Sequence, residues 1–157
     1  MRLHQNGFTV VELMVIIGLI VIIAAFSFSQ LAGRRASLDA STTAQKIVTA
    51  LKDAQTKAIT NERESDWGVR FVNNGSGNSF FAVYAQSYET STVVMRYGLP
   101  VTVSYETSTV ASNSFRDIVF YRLSGNPSAS TTITINSIIS GIESSTVRVA
   151  SSGLISY

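Results

Sequence analysis

The sequence predicts an α+β chain: one long N-terminal helix, apolar in its first half and amphipathic in its second, packed on a C-terminal antiparallel β-rich domain. Three observations carry this expectation. Residues 13–26 contain nothing ionisable, inside an apolar tract at 8–28. Apolar residues over 44–59 recur in steps of three and four. From Trp67 onward the chain becomes a series of short Val-, Ile-, Tyr-, Phe- and Thr-rich runs punctuated by Gly, Asn and Ser. With 157 residues there is room for one globular domain and an appendage.

Along the chain, residues 1–7, "MRLHQNG", form a short polar leader with one arginine. Residues 8–28, "FTVVELMVIIGLIVIIAAFSF", carry a single charge, Glu12. At the 1.5 Å rise of a helix this tract spans about 30 Å, the hydrocarbon thickness of a bilayer. Residues 8–29 are therefore expected to be a membrane and assembly helix. Over 30–64 the pattern stays helical but becomes one-sided. Ala44, Ile47, Val48, Leu51, Ala54, Ala58 and Ile59 form a stripe, and Lys46, Lys52, Asp53 and Lys57 fall largely off it. No proline interrupts 8–64, so the two halves read as one helix, with Gly33 and the Ser/Thr cluster at 41–43 as its weakest points. The stripe needs an apolar partner, and the sheet is the candidate.

In 65–157 the expected strands are 67–72, 79–85, 92–97, 101–106, 117–123, 131–136, 146–151 and the closing "GLISY". The first two flank "NNGSGN", a hairpin signal, and "SGNP" at 124–127 is a turn. Short connections favour antiparallel pairing. "SYETSTV" occurs at 87–93 and again at 104–110, too close and too few for a solenoid.

Composition argues against chemistry. There is no cysteine, so no disulfide framework, thiolate metal site or cysteine nucleophile. The single histidine, His4, precedes the apolar tract, which leaves the domain without a His-based triad or a multi-histidine metal site. No Gly-rich phosphate loop or calcium-loop pattern occurs, so neither cofactor nor metal is expected and the chain reads as no enzyme. A net charge of +2 is too small to argue for nucleic acid by itself.

The N-terminus admits two plain readings. Arg2, the apolar tract and "SFS" at 27–29 fit a secretory signal peptide, and the tract alone fits a single-span anchor. Neither has a use for Glu12, since a carboxylate at the middle of a spanning helix costs about 2.5–3.5 kcal/mol on insertion scales, and less near an interface.

The stretch "GFTVVEL" at 7–13, followed by an unbroken apolar run, resembles the N-terminal motif of the type IV prepilins and type II secretion pseudopilins. The resemblance implies cleavage by a prepilin peptidase between Gly7 and Phe8, then N-methylation of Phe8. It makes Glu12 the fifth residue of the mature chain, where the family keeps a glutamate, and since neither an amine nor a carboxylate is favoured unpaired in a helix bundle, Glu12 of one subunit is expected to pair with the Phe8 amine of its neighbour. It also implies an inner-membrane, single-pass chain whose C-terminal domain is extracytoplasmic, and partners in other pilin or pseudopilin subunits and an inner-membrane assembly platform. Two charges about 4 Å apart at an effective dielectric near 20 attract by about 4 kcal/mol before desolvation. Two departures stand out. Ser29 occupies the place where many members have proline, and Arg34 and Arg35 beyond the tract stand against Arg2 and the amino terminus before it, so the charge bias by itself does not favour that orientation.

Further along, "LKDAQTKAITNE" (51–62), the Trp-Gly-Val strand, "DIVFYRLSGNP" (117–127) and "VRVASSGLISY" (147–157) resemble the pseudopilin H (GspH)/FimT-like minor pilin group. That resemblance implies a domain of two antiparallel sheets. Leu51, Ala54, Ala58, Phe120 and Val149 are accounted for as core. Some FimT-like pilins bind DNA through a C-terminal Gly-Arg pair, whereas here Gly153 precedes Leu154. Beyond residue 65 five arginines (Arg70, Arg96, Arg116, Arg122, Arg148) are scattered rather than clustered. The expectation is a structural pilin-like subunit of a type IV pilus or type II secretion pseudopilus. The alternative is a DNA-uptake or adhesive binding module at a pilus tip.

Overall fold

The structure, a computed structural model, describes residues 9–75, 77–138 and 144–157, and over 26–34 the backbone alone. Among the described residues one helix, α1 (Val10–Ile59), is followed by a 3-10 turn (Glu62–Glu64) and eight strands. These are β1 (Trp67–Asn73), β2 (Phe80–Ala85), β3 (Val93–Gly98), β4 (Val103–Tyr105), β5 (Ser114–Phe120), β6 (Thr131–Ser137), β7 (Ser145–Val149) and β8 (Ile155–Ser156). The chain divides into two compact units, Met1–Arg35 and Ala36–Tyr157.

In the second unit the helical stripe does what its spacing predicts. Ala36, Ala40, Ala44, Ile47, Leu51, Ala54 and Ala58 are fully buried, and Ala50 nearly so. Small residues dominate this face, and Ile47 and Leu51 are its large fully buried side chains. The expected helix to residue 64 stops at Ile59, and Ile59 itself is exposed rather than part of the buried stripe. Asn61 adopts the left-handed conformation (φ 57°) that ends many helices. The last turn is then held from outside. Leu123 N–H donates to the Ala58 carbonyl at 2.9 Å, and Gln55 Nε2 donates to the carbonyls of Gly125 (3.1 Å) and Gly153 (2.9 Å).

The strands form two four-stranded antiparallel sheets, in the order β3-β2-β1-β5 and β4-β6-β7-β8. Leu51, Ala54, Ala58, Phe120 and Val149, accounted for as core from the sequence, are all buried, together with Trp67, Phe71, Phe81, Ile118, Ile133 and Ile135. Short connections predict local pairing, and it holds for β1 with β2 and for β6 with β7. Two pairings skip neighbours instead: β5 returns to β1, and β4 pairs with β6. The connection after Gly98 leaves the first sheet for the second, so β4 cannot continue the β2-β3 meander. Expected strands also shift: 146–151 becomes Ser145–Val149, and the closing "GLISY" shortens to Ile155–Ser156. The run 117–123 begins at Ser114 and ends at Phe120, because a turn follows in which Gly125 takes the left-handed conformation (φ 64°). The run 101–106 shrinks to Val103–Tyr105, because Val103 N–H closes a turn onto the Pro100 carbonyl at 3.0 Å.

The repeated heptapeptide builds the same turn twice. In each copy the glutamate carbonyl accepts from the backbone of the following threonine and valine: Glu89 from Thr92 and Val93, Glu106 from Thr109 and Val110. Each threonine hydroxyl also donates to that carbonyl at 2.9 Å. The tyrosines diverge. Tyr88 lies on the outer face of the first sheet, edge-on to Tyr84. Tyr105 is buried between the sheets and donates its hydroxyl to the Phe80 carbonyl at 3.1 Å.

Candidate assembly site at the helix N-terminus

Of the three residues singled out for processing and assembly, Gly7 and Phe8 lie outside the described residues. Glu12 is described, in the first turn of α1, and it is exposed. Thr9 starts that turn: its hydroxyl oxygen accepts from the Glu12 backbone N–H at 3.2 Å, and its carbonyl accepts from Leu13 N–H at 3.1 Å. Thr9-Val10-Val11-Glu12 is thus a Thr-x-x-Glu helix start, a pattern readable in the sequence that membrane-cost reasoning about Glu12 passes over. A carboxylate in a first turn also complements the helix dipole by about 0.3–1 kcal/mol. Among the described residues the Glu12 carboxylate makes no ion pair.

Every large apolar side chain from position 10 to 22 is exposed, from 41% at Ile16 to 73% at Val10. Among the described residues no helix is long and apolar enough to cross a membrane. Of the tract 8–28 expected to do so, Phe8 and the side chains at 26–28 fall outside the described residues.

The arginines expected to be scattered are found on different features. Arg70 on β1 donates from Nε and Nη2 to the two carboxylate oxygens of Asp117 on β5, at 2.7 and 2.5 Å. Its guanidinium lies 4.0 Å from the ring centres of both Tyr88 and Phe115. The Asp117 hydrogen bond holds the Arg70 pKa above its usual value, with burial opposing. Arg96 stacks on Phe80 at 3.7 Å, and Arg122 donates to the Glu64 carbonyl at 3.0 Å. Gly153 serves the fold: it has φ 83°, and a Cβ there would sit 2.7 Å from Gln55 Nε2.

A long N-terminal helix, apolar then amphipathic, its second half laid on two antiparallel sheets: that architecture is pilin-like. No family model matches the chain, and no curated protein matches it. Among solved structures, the type IV minor pilin FimU of Pseudomonas aeruginosa in one crystal form aligns with a TM-score of 0.56 at 12% identity, over 74% of this chain and 86% of that one. A second crystal form of FimU gives 0.54 at 11%, over 74% and 90%. The minor pseudopilin EpsH from the type 2 secretion system of Vibrio cholerae gives 0.48 at 15%, over 75% and 94%. At 11–12% identity the likeness to FimU is one of fold, and it is the fold that the sequence resemblance implied.

Proposed function

We propose that this chain is a structural subunit of a type IV pilus or type II secretion pseudopilus, held in the inner membrane and then in the filament by its N-terminal helix. The observation that carries the reading is the exposed apolar surface over 10–22. Burying a Val, Leu, Ile or Met side chain is worth about 1.5–3 kcal/mol, so a helix bearing that many exposed ones needs lipid or neighbouring helices around it. The fold shared with FimU and the "GFTVVEL" motif support the choice of filament class.

In this reading a prepilin peptidase cuts after Gly7 and methylates Phe8, and the assembly platform takes up the product. The new amine on Phe8 is then a charge that a helix bundle cannot leave unpaired. Glu12 of an adjacent copy neutralises it, and only a correct stagger satisfies both groups. The β domain stays extracytoplasmic. Mass spectrometry of the mature protein tests the first step: the chain should begin at a methylated Phe8. A start near Gln30 would mark a secretory signal peptide and overturn the reading.

A further inference from the structure

We infer that the open edge of β3, with the groove between it and α1, is a docking site for an extended strand of another protein that is apolar and acidic along one face. Both features lie within the second unit. The other sheet edges are blunted. β4 has three residues and β8 two, and the end of β5 is met by a loop in which Phe120 bridges to Pro127 and Ser128 N–H donates to the Val119 carbonyl at 2.7 Å. Short edge strands and covering loops keep a sheet from pairing with other chains. β3 has six residues and, among the described residues, pairs only with β2. Leu99 N–H donates to the Ser79 carbonyl at 2.8 Å, which sets the phase of this ladder: Phe81 with Tyr97 and Val83 with Met95 exchange hydrogen bonds. The backbone N–H and C=O of Arg96 and Gly98 therefore point away from β2, towards the free edge.

Met95 and Tyr97 stand on the same face of the sheet as their partners Val83 and Phe81. Those partners are buried, yet Met95 is 38% and Tyr97 37% exposed. The wall opposite them is a second stripe of α1, Thr42, Gln45, Lys46 and Thr49, in steps of three and four beside the buried one. The space between is about 460 Å³. A strand added to β3 lies about 4.8 Å beyond it and sends every second side chain into this space. Its backbone satisfies Arg96 and Gly98, and apolar side chains cover Met95 and Tyr97. Main-chain bonds of this kind supply affinity, and the alternate side chains supply specificity. Lys46 sets the charge. Among the described residues it makes no ion pair, whereas Asp53 in the same groove is bound to Lys57 at 2.9 Å. A carboxylate on the incoming strand is the complementary group.

The test uses the full-length chain in detergent micelles and a capped fluorescent peptide with threonine at every second position and valine or glutamate between. Binding is read by anisotropy. The peptide should bind several-fold tighter than its lysine-for-glutamate counterpart, and Lys46→Glu should reverse that order. An added strand turns only every second amide towards β3, so N-methylation of one alternate set should abolish binding and of the other leave it intact. Equal effects of the two sets, or no binding of the unmethylated peptide, overturn the inference. Proline is accepted on edge strands where its missing N–H faces outward. Arg96→Pro, checked as folded by Trp67 emission, should therefore weaken the peptide and leave self-association unchanged. A loss of self-association in that variant makes the occupant a second copy of this chain and overturns the inference as well.

Discussion

Glu12 has two roles that substitution can separate. As the third residue of a threonine-capped turn it supports the helix start, and as a carboxylate it is the proposed partner of a neighbouring Phe8 amine. Glutamine also suits a capping position. Glu12→Gln is therefore expected to insert and start its helix normally while self-association in membranes, read by cross-linking, drops. Undiminished cross-linking would remove the charge pair from the account. Gly68 is a second single-residue case. A Cβ there would sit 2.5 Å from Cζ of Tyr84, its partner across β1 and β2. Gly68→Ala should cost about 1–3 kcal/mol as overpacking, measurable in denaturant through Trp67, the only tryptophan and fully buried. The same tyrosine makes stability depend on pH. Burial pushes the Tyr84 phenol up to about 12, the Asp117 charge adds to this, and Arg70 opposes it. Burial raises Tyr105 as well. Below pH 10 the phenol is protonated in folded and unfolded chains alike. Between 10 and 12 only the unfolded chain gives up that proton, so the melting temperature should fall across this window.

At the scale of elements, the second half of α1 is legible because a helix's own period sorts its residues. Leu51 is buried and Lys52, next to it, is exposed. Leu51→Ala should cost about 2–5 kcal/mol and Lys52→Ala less than about 0.5 kcal/mol, compared by denaturant midpoint. The strands are legible as runs, but their ends are set by turns. Phe120 ends β5 because Tyr121 N–H turns to the Asn126 carbonyl at 2.9 Å. The duplicated "SYETSTV" gives an internal control. Thr109 Oγ1 donates to Glu106 and also accepts from Thr134 N–H at 3.3 Å on β6. Thr92 Oγ1 donates to Ser87 and Glu89 and accepts from Glu89 N–H, all within its own loop. Thr109→Ala should therefore destabilise the domain by about 1 kcal/mol, with a smaller effect from Thr92→Ala. Equal losses would mean that the tie to β6 contributes nothing.

For the whole molecule, the order of elements and their α+β class follow from composition and period alone. So does the contrast between an apolar half-helix and an amphipathic one, because both are properties of consecutive residues. The motif "GFTVVEL" is likewise local, which is why Gly7, Phe8 and Glu12 stand out without any structure. Tertiary structure decided what consecutive residues do not encode. It returned β5 to β1, moved β4 across to the second sheet, and made Arg70 a partner of Asp117 rather than a free cation. The two heptapeptides show the division most plainly. Their shared sequence determines the same hydrogen-bonded turn, since those bonds close within a few residues. Whether the tyrosine faces solvent over Arg70 or the core beneath Phe80 depends on which strands arrive from elsewhere in the chain.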